Sequence, residues 1–147
     1  MADTTKIKTM IEPHVRAWLS KQFAGHNFEE RGVQLASGKS HKFDAVADDG
    51  SIVAAVLCSR AATRTGRENT GGVRKALNDI GYLKEIPVNV QKVLVFTDVD
   101  FCQLIRRRAS RLGTDPIRMM VCKLPPRLEA ELKEVIKEAS LEQRAAE

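Results

Sequence analysis

The chain has 147 residues, 43% of them hydrophobic and 29% charged, with a formal net charge of +5, which fits one globular domain around one core and gives no reason to expect a second. The opening MADTTKIKTM has no apolar stretch behind its charges, and the longest unbroken apolar run is only Ile52 to Cys58; neither a secretory leader nor a membrane span is expected, and the chain reads as cytoplasmic. Cys58, Cys102 and Cys122 lie far apart with no C-x-x-C pair, and His14, His26 and His41 are scattered, so free thiols in a reducing compartment are expected and a zinc site has little support.

Val15, Trp18, Leu19 and Phe23 recur at helical spacing and predict a first helix from Pro13 to Ala24, with Pro13 suited to its first turn and Gly25 to its C-terminal cap. A weakly alternating strand follows from Asn27 to Leu35 and ends at Ser37-Gly38-Lys39. His41 to Ala47 and Ser51 to Ser59 are strand-like runs on either side of Asp48-Asp49-Gly50, a type I′ hairpin signal. With Asp49 and Gly50 as the turn residues, Asp48 pairs with Ser51, Asp44 with Ala55 and Lys42 with Leu57, all four of the latter on one face. Ile52 to Cys58 is apolar on both faces and should lie centrally in its sheet.

After a loop rich in Thr, Gly and Arg, a second helix is predicted to start near Thr70 or Gly71, with Val73, Leu77 and Ile80 inward and Pro87 beyond its end. Val93 to Phe96 is a short apolar strand. Asp98 or Asp100 can cap a third helix on which Phe101, Ile105 and Leu112 face inward before Gly113. Ile117 to Cys122 is another strand, and Pro125-Pro126 opens a fourth helix striped by Leu128, Leu132, Val135, Ile136 and Ala139, with fraying expected after Leu141. The expected class is α/β, a central mixed sheet flanked by helices in the order αβββαβαβα.

The element order over Pro13 to Thr97, together with the segment K-F-D-A-V-A-D-D-G-S-I-V-A-A-V-L-C-S-R, resembles the PD-(D/E)XK nuclease superfamily, the restriction-endonuclease-like fold. The resemblance implies a nuclease-like core over about residues 13–97 with an added α-β-α unit over 98–145. Active members hydrolyse DNA phosphodiesters with magnesium, two acids holding the ion and a lysine assisting the attacking water. Asp44 matches the first acid. Ala55 stands where the second should be and Leu57 where the lysine should be, and neither side chain can ligate an ion or move a proton.

The expected hairpin register raises Lys42 as a relocated lysine beside Asp44, and Glu68 and Glu12 are available to replace the missing acid; some superfamily members carry an acid on a helix beside the sheet. The simpler readings are a solvated Lys42 paired with Asp44 and helix-start acids favoured by the dipole. Arg60, Arg64, Arg67, Arg74 and Lys75 crowd the loop that leads to the second helix, where free backbone donors favour phosphate, and this suggests contact with a nucleic-acid backbone. Arg106, Arg107, Arg108 and Arg111 fall in the last turns of the third helix, where cations are favoured regardless of function.

The double substitution at Ala55 and Leu57 favours a nuclease-fold protein that has lost catalysis and needs no cofactor, binding nucleic acid, DNA in particular, or serving other proteins. Two readings stand beside it. One is a magnesium-dependent DNA endonuclease that uses Asp44, also as the metal ligand, with Lys42 and Glu68 or Glu12. The other is a protein-interaction module, self-pairing included, that uses a strand edge or the terminal helix.

Overall fold

A computed structural model describes residues 5, 7–63, 65–113 and 116–146, and its elements follow the expected order. Pro13 sits in the first turn of α1 (Glu12–Gln22), where its missing N–H costs no helical bond, and a π-helical turn over Ile7–Ile11 leads into it. α1 stops short of the expected Ala24 because Phe23 leaves helical geometry, and Gly25 follows with φ +90°. The strands β1 (Phe28–Gln34), β2 (Ser40–Ala47) and β3 (Ile52–Leu57) form an antiparallel meander. β4 (Gln91–Phe96) and β5 (Ile117–Val121) then extend the sheet in parallel, giving an open, mixed, five-stranded sheet in the order β1-β2-β3-β4-β5.

β3 is central, as its apolar sequence requires, and all six of its residues are buried. Val53, Ala55 and Leu57 pack toward α2 (Thr70–Lys84) and α3 (Val99–Ala109), through Val73, Ala76, Ile80, Phe101 and Ile105. Ile52, Ala54 and Val56 pack toward α1 and α4 (Pro126–Ala146), through Val15, Leu19 and Leu132. Asn69 caps α2 by accepting the Gly72 N–H, and Asp98, rather than Asp100, caps α3 by accepting the Phe101 N–H. Leu112 is exposed, contrary to expectation, because α3 gives way to a 3₁₀ turn over Ser110–Leu112 that carries it off the inward stripe. α4 continues past Leu141 to Ala146; the side chain of Ala139 lies outside the described residues. No helix among the described residues is long and apolar enough to cross a membrane.

The hairpin keeps its register but not its turn. Type I′ geometry would need positive φ at both Asp49 and Gly50, and among the described residues only glycines adopt it. Instead the Gly50 N–H donates to the Ala47 carbonyl at 2.8 Å, Gly50 takes φ +75°, and Asp49 accepts the Ser51 N–H and hydroxyl. Ala45 still pairs with Ala54 and Val46 with Val53, the expected offset, but the ladder ends there.

A β-bulge ends it. β1 pairs Glu29 with Val46 and Arg31 with Phe43, so Glu30 alone opposes both Asp44 and Ala45. The extra residue in β2 reverses the alternation. Phe43 and Val46 join the α2/α3 layer, and Ala45 and Ala47 the α1/α4 layer. Asp44 therefore does not face Ala55, and Lys42 pairs with Gly32 of β1 rather than with Leu57.

Candidate active site

Where β2 and β3 separate, the Asp44 carboxylate replaces the missing ladder partner: its Oδ2 accepts the Val56 N–H at 2.8 Å. Its backbone carbonyl accepts Arg16 Nη1 at 3.0 Å, which ties β2 to α1. One turn before Arg16, Glu12 is buried in the first turn of α1, where the helix dipole favours an acid, and its Oε1 lies 3.9 Å from Arg16 Nη1. The third acid is Glu30, which the bulge sets against Asp44. Ligand oxygens of Glu12, Glu30 and Asp44 all lie within 4.8 Å of one another. Lys42 Nζ stands 3.0 Å from Glu30 Oε1, bringing one ammonium to the edge of the trio.

Beyond Ile52 and Ala54, the residues that β3 turns to this side are Val56, whose N–H meets Asp44, and, just past the strand, Cys58, which packs against the α1/α4 layer. An acid-x-lysine pair on β3 would therefore have to occupy Val56 and Cys58 to reach Asp44. Burial, foremost, pushes the Cys58 thiol up to about 12; Glu12 and Asp44 add to the rise, and the Lys75 ammonium opposes it. Burial thus disfavours the Cys58 thiolate in the absence of a bound cation.

Lys75, on α2, also acts on Asp79 one turn further along. Burial pushes the Asp79 carboxyl up to about 6, Lys75 counters this, and Asp44 reinforces it. The linkage has a definite sign. Below the ordinary carboxyl value of 3.8 both folded and unfolded chains hold the proton; between 3.8 and about 6 only the folded chain does, so stability falls as pH rises through that window. Asp79→Asn is expected to raise stability at pH 7 by on the order of 2 kcal/mol and to flatten that slope, as read by urea unfolding at pH 4, 5, 6 and 7.

The donor set suits a hard cation. Magnesium takes oxygen ligands in a near-octahedral shell, with neighbouring oxygens about 2.9 Å and opposed oxygens about 4.2 Å apart, and the carboxylate spacing here is of that scale. Three acids gathered at a sheet edge, two of them only partly exposed and one buried, repel one another unless cations stand near, and Arg16 and Lys42 supply part of that compensation.

Of the residues singled out by sequence, Glu12, Asp44 and Lys42 converge here. Glu68 does not, because its carboxylate pairs with Arg108 of α3. Arg60 is held by Glu129 of α4. Arg64 lies outside the described residues. Arg67 is exposed beside a small loop closed by the Ala62↔Glu68 bridge, and Arg74 and Lys75 are exposed on the first turns of α2. Arg106 donates to the Met119 carbonyl at 3.2 Å, a structural use of that cluster. Glu30 was missed by sequence reading: it sits in a charged strand, and only the bulge on its neighbour gives it a role. No protein-family model, curated protein or solved structure matches the chain.

Proposed function

We propose that this protein is a metal-dependent nuclease of the restriction-endonuclease-like class that acts on DNA, with Glu12, Glu30 and Asp44 as metal ligands. The observation that carries the reading is the convergence of these three carboxylates from α1, β1 and β2 on one point beside a lysine. Magnesium bound there would polarise a phosphoryl oxygen and lower the pKa of an attached water. The remaining work falls to the chain. The Val56 N–H fixes the Asp44 carboxylate, Arg16 bridges toward Glu12, and Lys42, beside Glu30, would neutralise charge that develops on the phosphate. Arg67, Arg74 and Lys75 would hold the flanking backbone phosphates. The lost acid-x-lysine pair is thus replaced from three neighbouring elements rather than from β3.

Cleavage of supercoiled and linear DNA in magnesium or manganese, abolished by EDTA, tests this directly. The absence of metal-dependent cutting by folded protein would refute it. A second reading, nucleic-acid binding without cleavage, is favoured by one contact: Lys42 already neutralises Glu30, which weakens the pull of the trio on a cation. Either reading requires DNA affinity that falls with salt. For Arg67→Ala/Arg74→Ala, the slope of log K against log salt should be shallower by about 2 than in the unaltered protein. An unchanged slope would remove this face from the interface, and salt-independent retention would favour a protein-interaction module instead.

A further inference from the structure

Just beyond the C-terminal end of β2, the β2–β3 turn meets the loop between α1 and β1. The Asp48 N–H donates to the Asn27 carbonyl at 2.9 Å, which brings His26 against the two turn acids. His26 Nδ1 lies 3.5 Å from Asp48 Oδ1 and 3.5 Å from Asp49 Oδ1, and the three ligand atoms all fall within 4.8 Å of one another. Two features set this group apart from an ordinary surface ion pair. The Nδ1 atom is buried, with no hydrogen-bond partner, while much of the turn around it is exposed. Both of its separations are also too long for a hydrogen bond. They match the edge of a tetrahedron instead: with metal–nitrogen and metal–oxygen bonds of about 2.0–2.2 Å, ligand atoms stand roughly 3.3–3.5 Å apart.

We propose that His26 Nδ1 and the carboxylates of Asp48 and Asp49 form a zinc-class divalent-cation site that clips the α1–β1 loop to the β2–β3 turn. The acids are already oriented for this. Asp48 Oδ1 accepts the Asp49 N–H at 3.1 Å, and Asp49 Oδ1 accepts the Ser51 N–H at 3.0 Å and the Ser51 hydroxyl at 2.6 Å. Those Ser51 bonds, the hydroxyl first, hold the Asp49 carboxyl below the usual range, so it is ionised at neutral pH. The nearby Arg31 guanidinium is directed elsewhere, to the Ala47 carbonyl at 2.8 Å and to Glu29 at 3.6 Å. An imidazole with two carboxylates selects zinc over magnesium, because magnesium favours an all-oxygen shell. A fourth position is left for water, as in open zinc sites.

The scattered histidines hid this site, since His26 joins Asp48 and Asp49 only once β1 has turned back along β2. The test is zinc titration of the full chain, read by thermal melting and by isothermal calorimetry, for the unaltered protein, His26→Gln and Asp49→Asn. One equivalent is expected to bind the unaltered protein. At about 100 times its dissociation constant, zinc should raise the melting temperature by roughly 5–10 °C, and excess magnesium should not displace it. Both variants should lose that shift. Asp49→Asn keeps an oxygen for the Ser51 donors and reports even if His26→Gln does not fold. Zinc binding that persists unchanged in folded Asp49→Asn, or no binding by the unaltered protein, would overturn the proposal. So would displacement by magnesium, which would place the ion at the carboxylate trio.

Discussion

Asp44→Asn is expected to lower metal-dependent DNA cleavage by at least about 100-fold, the scale seen when one preorganised charge-stabilising group is removed from an active site. The substitution isolates charge from architecture. Asparagine keeps a side-chain oxygen that can still accept the Val56 N–H, so the β2–β3 junction should survive, as judged by circular dichroism and the melting temperature. Glu12→Gln should have a similar effect, with the carboxylate lost from a buried position on α1. Glu68→Ala should leave the rate unchanged, because Glu68 pairs with Arg108 away from the trio. Initial cleavage rates at fixed magnesium measure all three. A Glu68 variant as impaired as Asp44→Asn would mean that the catalytic acids had been misplaced.

Leu57→Lys, the substitution that would supply the lysine of the resembled superfamily by simple alignment, is expected to destabilise the fold by more than about 4 kcal/mol instead of improving catalysis. Leu57 is fully buried in the α2/α3 layer and faces away from Asp44. A charge placed there has neither solvent nor a partner. The melting temperature should fall by roughly 10 °C or more. Cys58→Lys should cost less, since Cys58 is half-buried on the side of Glu12 and Asp44, whose charges would receive an ammonium. The order of the two variants tests the bulge register itself: a Leu57→Lys protein as stable as Cys58→Lys would contradict the facing assigned to β3.

The element order was legible because each segment carries a local signal. The doubly apolar β3, Pro13 at the start of α1 and the Asp98 cap of α3 are examples. Even the hairpin offset was correct although its turn was not, since the turn closed by the Gly50 N–H on the Ala47 carbonyl keeps the pairing that the expected type I′ turn would give. The bulge was not legible. No residue in Phe43-Asp44-Ala45 marks it by type, and it is set by how β1, β2 and α1 pack together. Missing it put Asp44 opposite Ala55, when in fact Asp44 looks toward Glu12 and Glu30. Glu12 and Asp44 could be named from sequence as separate acids, but their meeting with Glu30 is a tertiary fact. Glu68 shows the converse: it satisfied the sequence criteria for a relocated acid, and a long-range ion pair with Arg108 claims it.

Manganese binding followed by electron paramagnetic resonance tests the central claim most directly, because the signal of free manganese drops as the ion is bound. The unaltered protein should take up one equivalent in competition with magnesium, Asp44→Asn and Glu12→Gln should lose that uptake, and His26→Gln should retain it. Undiminished uptake in folded Asp44→Asn and Glu12→Gln, or none in the unaltered protein, would contradict a metal centre built from Glu12, Glu30 and Asp44.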